Sequence, residues 1–188
     1  MENSSNGSLD TYGLSFAGEL ALSPGMKVHY RVAYATQDSD GSAADYDADY
    51  MMAEASINTH NINLKLNYEV LGSDNGGYGF ATPLATVHKF NGWADTFINT
   101  PAQGLADIAL SASGKLRGTK WLIVYHDYES DDSAPGISNF GNELNLQLTR
   151  PIDDHLVIGI KYADYNAGDV GTGKVDTQKF WFWVQLKF

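Results

Sequence analysis

Histidine, serine and acidic residues are the side chains of this sequence that could carry out catalysis or bind a metal ion. The five histidines lie in different predicted strands and turns, and none shows a spacing typical of a metal site: His29, His60, His88, His126 and His155. The chain has no cysteine, which excludes disulfides and thiolate chemistry. A Ser-His-Asp site could be assembled in three dimensions, but nothing in the order of the residues suggests one. We therefore expect no enzyme activity, no metal ion and no cofactor.

A run of aspartates offers a second possible chemistry, which is calcium binding. It consists of Asp38, Asp40, Asp45, Asp47 and Asp49, and it lacks the glycine and glutamate positions of an EF-hand loop. A solvated acidic loop is therefore the preferred interpretation. Such a loop could still bridge lipopolysaccharide through divalent ions.

Charged residues that alternate with apolar ones form the third pattern, and it is compatible with passage of ions. The net charge is -11, which argues against a nucleic-acid partner. The side assigned to the polar residues nevertheless carries seven basic residues (Lys27, Arg31, Lys65, Lys120, Lys161, Lys179, Lys187) and five acidic ones (Glu19, Glu54, Glu69, Asp107, Glu143). Basic groups in a low-dielectric channel favour anions. The alternative is that these charges simply pair across strands. The pore-lining candidates are Lys27, Arg31, Lys65, Lys120, Lys161, Glu54, Glu69 and Glu143.

Strands must position these residues, because apolar side chains recur at every second position in nine segments. The segments are 11–22, 26–36, 48–58, 61–70, 105–113, 119–128, 140–149, 155–165 and 180–188. We predict an all-β fold with antiparallel strands in a single domain, 1–188. Short connections alternate with long ones, the latter including 37–47, 72–104, 129–139 and 167–176, which is typical of a transmembrane β-barrel.

The last strand, Phe180 to the terminal Phe188, is the strongest indication of a membrane barrel. Its apolar face would contact lipid, and its length suits a tilted crossing of about 30 Å of hydrocarbon. No apolar run approaches the ~20 residues of a membrane helix, so a helical membrane protein is excluded. The alternative is a soluble sandwich or lipocalin-like barrel, in which the apolar faces pack together.

Nine strands are an awkward number, because single-chain bacterial barrels contain an even number. If Phe188 lies on the periplasmic side, the first strand begins outside the cell. We therefore expect the C-terminal portion of a larger barrel, whose N-terminal half is missing or supplied by another chain. The alternatives are an eight-stranded barrel with the first segment inside the lumen, or a miscounted strand.

The long loop 72–104 is too apolar and aromatic to extend freely into water. We predict that it folds over or into the barrel mouth and narrows the pore. The alternative is a lid that packs against other loops only for stability. The candidate constriction residues are Phe80, His88, Lys89, Phe90, Trp93 and Asp95.

Three segments in and just after this loop resemble the signature of the alginate-export-type outer-membrane barrel family. They read Phe80-x-Thr82-Pro83-Leu84-Ala85-Thr86, His88-Lys89-Phe90-Asn91-Gly92-Trp93-Ala94-Asp95 and Thr100-Pro101-x-x-Gly104-Leu105-x-Asp107. The rest of the chain matches only as alternating strands. The resemblance implies a wide barrel of about eighteen strands, of which this chain would be the C-terminal half.

The resemblance also implies a location and partners. It indicates a passive channel in the bacterial outer membrane for an anionic polysaccharide or small anionic solutes. Lipid bilayer and lipopolysaccharide would surround it. The alternatives are a barrel fragment with a structural role only, or a soluble β-barrel that binds a small ligand.

Overall fold

The computed structural model describes residues 8–40, 45–83 and 90–188. Its strands are β1 (Ser8–Ser23), β2 (Met26–Asp40), β3 (Tyr46–Thr59), β4 (Ile62–Leu71), β5 (Ser73–Asp74), β6 (Tyr78–Gly79), β7 (Leu105–Leu116), β8 (Thr119–Ala134), β9 (Ile137–Pro151), β10 (Leu156–Ala167) and β11 (Thr177–Leu186). A 3₁₀ turn, Val170–Thr172, lies between β10 and β11. The described residues contain no helix that is long and apolar enough to cross a bilayer.

Nine of the strands form one antiparallel sheet in the order β1-β2-β3-β4-β7-β8-β9-β10-β11. Each strand pairs with its neighbour along the chain, so the sheet is a continuous meander. Strands β5 and β6 form a separate small hairpin inside the long loop. Among the described residues, β1 and β11 each have one neighbour, and the sheet is therefore open rather than closed into a barrel.

The all-β, antiparallel prediction is confirmed, and all nine predicted strands are present. The structure corrects the predicted loop 129–139. Strands β8 and β9 continue through most of it to a tight turn at Pro135 and Gly136, and Ala134 pairs with Ile137. The Asp, Ser and Gly content suggested a loop. The residues are extended instead, although the register shifts between Glu129 and Ala134. The predicted loop 37–47 is shortened in the same way, since Ser39 pairs with Tyr46.

The two faces of the sheet differ sharply in chemistry. The face that we call the outer face carries the apolar alternating positions, and these side chains are exposed: Leu14 is 80% exposed, Phe180 66% and Phe182 63%. Further exposed members occur on every long strand, including Tyr34, Met51, Leu66, Leu110, Ile123, Leu148 and Ile160. The opposite face, called the inner face, carries the charged and amide residues and is partly covered by the long loop.

The ends of the sheet also differ. Tight turns join β1 to β2, β3 to β4, β7 to β8 and β9 to β10 at one end, called the short-turn end. The opposite, long-loop end holds the loop 72–104 and the only sizeable core among the described residues. That core groups Leu71, Phe80, Trp93, Ala94, Phe97, Leu105, Tyr128, Phe140 and Tyr165.

Candidate functional site

The candidate site is the inner face at the long-loop end, where residues 90–104 pack against the strands. Phe97 of the loop is its apolar anchor and is almost fully buried. Its ring centroid lies 4.6 Å from that of Tyr128, 5.7 Å from that of Phe140 and 6.0 Å from that of Tyr165. These aromatic side chains come from β8, β9 and β10, so one loop residue bridges three strands. The described part of the loop therefore lies on the inner face.

Glu143 on β9 holds the backbone of this loop. Its Oε1 accepts the backbone N–H groups of Trp93 at 2.5 Å and Ala94 at 2.8 Å. The side chain is 0% exposed. The loop reaches it through consecutive residues with positive φ, Asn91 at 51° and Gly92 at 90°. An added Cβ at Gly92 would overlap Glu143 Oε2 and Tyr128 Oη, so this close approach requires glycine.

Asn91 connects the loop to two more carboxylates of the wall. Its side-chain N–H group donates to Glu69 Oε2 at 3.0 Å and to Asp107 Oδ2 at 3.2 Å. Glu69 also accepts the hydroxyl of Tyr50 at 2.7 Å. His126 Nδ1 lies 3.0 Å from both oxygens of Asp107. Acidic groups of β4, β7 and β9 therefore satisfy polar groups of the loop, as burial requires.

The Asp107–His126 contact has the geometry of the orienting half of a catalytic triad. Among the described residues no hydroxyl group is hydrogen-bonded to His126, so the imidazole has no nucleophile to activate in this structure. The same residues contain no group of three His, Asp or Glu side chains placed to hold a metal ion.

A second anchor holds the start of the long loop. Gln37 on β2 is 1% exposed, and its side-chain amide makes a pair of hydrogen bonds with the backbone of Ala81. The distances are 2.9 Å to the Ala81 carbonyl and 2.7 Å from the Ala81 N–H. Thr100 Oγ1 donates to the carbonyl of Phe80 at 2.7 Å, which ties the two arms of the loop together.

Cationic side chains contact the far side of the loop. Lys179 forms an ion pair with Asp95 at 2.7 Å. Lys161 Nζ lies 4.3 Å from the ring centroid of Trp93, a cation–π distance. Lys174 donates to the Thr96 carbonyl at 2.9 Å. Burial lowers the pKa of the Lys174 ammonium.

The last long connection is fixed by Asp169. Its Oδ2 accepts the N–H of Ser138 at 2.9 Å, the hydroxyl of Ser138 at 3.0 Å and the N–H of Asn139 at 3.0 Å. These hydrogen bonds lower the pKa of the Asp169 carboxyl. The carboxylate therefore holds the segment 168–176 against the start of β9.

Four of the predicted pore-lining residues meet in one cavity of about 370 Å³ beneath the loop: Arg31, Glu54, Lys65 and Glu69. Asn91, Trp93, Asp107 and His126 complete much of its lining. Lys27 and Lys120 instead line an open groove at the short-turn end, and Lys161 lies beside Trp93. Glu143 differs from its prediction as a pore-lining group, because it is buried between the wall and the loop.

Two predicted wall lysines pair across strands. Lys27 Nζ is 2.6 Å from Glu19 Oε1, and Lys65 Nζ is 2.9 Å from Glu54 Oε2. The alternative of cross-strand pairing therefore describes these two residues, and it weakens the attraction that they exert on a passing anion.

The predicted constriction residues divide into two groups. Phe80 and Trp93 are buried, Asp95 is paired with Lys179, and Phe90 is 48% exposed beside the cavity. His88 and Lys89 lie outside the described residues. Sequence reasoning missed Gln37, Asn91, Tyr128 and His126. The sequence offered a signal only for the residues that lie on strands. Their alternation places them on the inner face near the long-loop end.

Glu143 and its neighbours leave buried polar atoms without partners. Tyr128 Oη, Glu143 Oε2 and both side-chain polar atoms of Asn145 have no hydrogen bond among the described residues. These groups surround the point where Gly92 meets the wall. The loop is therefore held by specific contacts beside buried polar atoms that have no hydrogen-bond partner among the described residues.

No protein-family model, no curated protein and no solved structure matches this chain. The function is therefore inferred from the chemistry of the two faces and from the loop.

Proposed function

We propose that this chain is part of a channel-forming β-barrel of the bacterial outer membrane. The observation that carries the proposal is the outer face, on which apolar side chains of all nine long strands are exposed side by side. Proteins that remain in water rarely expose contiguous apolar patches above a few hundred Å². A lipid-facing surface explains both the composition and the alternation, since the polar residues lie on the other face.

The direction of the edge strands supports a barrel that contains further strands. β1 and β11 both run toward the short-turn end, so joining them directly would make a parallel seam. An odd number of additional strands gives two antiparallel seams, and nine would give about eighteen in total. We propose that the chain is the C-terminal half of such a barrel, in agreement with its resemblance to the alginate-export type. This closure also removes two open edges that lipid does not tolerate.

The proposed cargo is an anionic polysaccharide or small anionic solutes, moved passively and without covalent chemistry. Arg31, Lys120 and Lys161 on the inner face support it, whereas the pairing of Lys27 and Lys65 with carboxylates reduces their contribution. The loop 72–104 is proposed to set the width of the pore, because residues 90–104 lie on the inner face.

Planar-bilayer recording of the purified protein tests the proposal. We expect discrete current steps with a reversal potential that favours anions, and block by uronate oligomers. Lys65→Glu should shift the reversal potential toward cations, because it would place three carboxylates at positions 54, 65 and 69 of the same cavity. Arg150→Glu is the matched control, since Arg150 is exposed on the outer face. An equal shift in both variants would contradict a role of the cavity in selectivity.

A structural role without transport is the second candidate, and the two unpaired edges of the sheet favour it. A chain that requires detergent to stay monodisperse but gives no current would support this candidate. A chain that stays monodisperse without detergent would refute the lipid-facing surface and leave a soluble ligand-binding barrel.

A further inference from the structure

The short-turn end of the inner face is an open groove of about 830 Å³ with a basic lining. Lys27, Lys115, Lys120 and His60 contribute to it, together with amide and hydroxyl groups of Asn58, Asn63, Gln147 and Thr149. None of the residues that line the groove is acidic. Glu19, which pairs with Lys27, and Asp153 and Asp154 in the β9–β10 turn are carboxylates at this end that offset part of this charge.

Lys115 and Lys120 are placed in an unfavourable arrangement. They are directly opposite each other in the register of β7 and β8, and both point to the inner face. Like charges at directly opposed positions destabilise a sheet. Among the described residues, neither lysine has an ion pair. An anion between the two ammonium groups would remove the repulsion.

The long-loop end has the opposite charge. On the inner face, Glu69, Asp107 and Glu143 lie at this end beneath the loop. Asp10, Asp38 and Asp47 form an exposed row across β1, β2 and β3 at the same end, but on the outer face. Asp131 and Asp132 extend the acidic rim on β8. The described bases at this end are Lys174 and Lys179, and Lys179 is paired with Asp95.

The two charged ends are electrically independent. Asp107 and Lys115, both on the inner face, are eight residues apart on β7, which corresponds to roughly 26 Å at about 3.3 Å per residue. The screening length at physiological ionic strength is about 8 Å. Neither end therefore neutralises the other, and each sets the ion concentration in its own mouth.

We propose that the pore is electrically asymmetric along its axis, with an anion-collecting vestibule at the short-turn end and an anion-repelling rim at the long-loop end. This inference rests on the proposed channel function. The basic vestibule raises the local anion concentration at one mouth, and the acidic rim lowers it at the other. The same asymmetry makes the channel rectify, because one voltage polarity fills the pore with ions and the other depletes it.

Current–voltage curves of the full-length protein, inserted from one side of a planar bilayer, test this inference. In about 0.1 M KCl, where the screening length is about 10 Å, the currents at equal and opposite voltages should differ measurably. The difference should vanish in about 1 M KCl, where the screening length falls to about 3 Å. Lys120→Glu should remove most of the rectification, and Arg150→Glu, on the outer face, should leave it unchanged.

Two results would overturn the inference. A linear curve at low salt would mean that the ends do not act on the permeating ions, while the channel itself would stand. Rectification that persists in Lys120→Glu would place its origin outside the groove. The absence of any current would instead refute the proposed channel, and with it the asymmetry.

Discussion

Removing the Glu143 carboxylate should release the loop from the inner face. Its Oε1 accepts the backbone N–H groups of Trp93 and Ala94 in a fully buried position. Glu143→Ala deletes the one oxygen that accepts both bonds and leaves two buried N–H groups without partners. The loop then loses its polar attachment to β9, although Phe97 still provides apolar contacts with the wall.

The size of the effect follows from those two bonds. An unsatisfied buried donor costs about 1–3 kcal/mol, so two donors cost roughly 2–6 kcal/mol. Every 1.4 kcal/mol is about tenfold in an equilibrium constant. Opening of the loop should therefore become at least about thirtyfold more frequent. Glu143→Gln keeps one acceptor oxygen and should show a smaller effect, because it loses only the charge assistance of the bonds.

Hydrogen exchange of the Trp93 and Ala94 amides measures the opening directly. Protection of these two amides should fall at least about thirtyfold in Glu143→Ala, and single-channel conductance should rise if the loop narrows the pore. Gln147→Ala is the matched control, since Gln147 also faces inward on β9 but bonds only to Thr149 among the described residues. Unchanged exchange in Glu143→Ala would refute the attachment. Faster exchange with unchanged conductance would refute the constriction alone.

Three further perturbations test neighbouring parts of the structure. Gly92→Ala should destabilise the loop by about 1–3 kcal/mol because of the positive φ at this position alone. Overlap of the new Cβ with Glu143 should add to this cost. A hydrogen-exchange rate at the Trp93 amide equal to that of the wild type would contradict the close approach. The lowered pKa of Asp169 means that its stabilisation is complete above the ordinary value of 3.8 and is lost as the pH falls through the lower folded value. Amide protection of residues 168–176 should therefore decrease in that acid range, and Asp169→Asn should abolish this pH dependence; an identical acid profile in the variant would rule out the role of the carboxyl. Lys115→Glu should raise the unfolding free energy by about 0.2–1 kcal/mol, because it turns the repulsive pair with Lys120 into an attractive one. Denaturant unfolding in detergent measures this change, and a loss of stability would contradict the repulsion.

The strands were predictable because one face of each strand is apolar almost without interruption. In β4, Ile62, Leu64, Leu66 and Tyr68 alternate with polar residues, and a register shift of one residue would exchange the faces. The ends of the strands were less predictable. Residues 129–139 are rich in Asp, Ser and Gly, yet most of them are extended. Glu129 pairs with Asn139, Ala134 pairs with Ile137, and the Asp132 N–H donates to the Gln103 carbonyl, which composition does not report.

The attachment of the loop could not be predicted in the same way. Asn91 reaches Glu69 and Asp107, which are 22 and 16 positions away in sequence. Gly92 reaches Glu143 because of its positive φ. No periodicity relates these residues, since the contacts depend on how a loop crosses a completed sheet. The aromatic content of the loop predicted that it would not extend freely into water, but not which carboxylates would bind its backbone.

The positions of the wall charges are more informative than their number. The sequence assignment gives seven basic residues against five acidic ones on the inner face, and Lys115 adds an eighth, which suggests a weakly basic channel. The structure separates most of them along the strands, with Glu19 at the short-turn end and Lys179 at the long-loop end as exceptions. Glu69, Asp107 and Glu143 lie near the long-loop end, beneath the loop, whereas Lys27, Lys120 and Lys187 lie near the short-turn end.

Neutral donors, which are Asn91 and two loop amides, contact the three carboxylates, and Asp107 also contacts His126. The acidic groups that fix the loop therefore also oppose an anion that approaches from the long-loop side. Loop attachment and electrical asymmetry share the same residues, and Glu143→Gln separates the two. It preserves an acceptor for the loop and removes one negative charge. We therefore expect weaker rectification than in the wild type, with a smaller loss of amide protection at Trp93 and Ala94 than in Glu143→Ala.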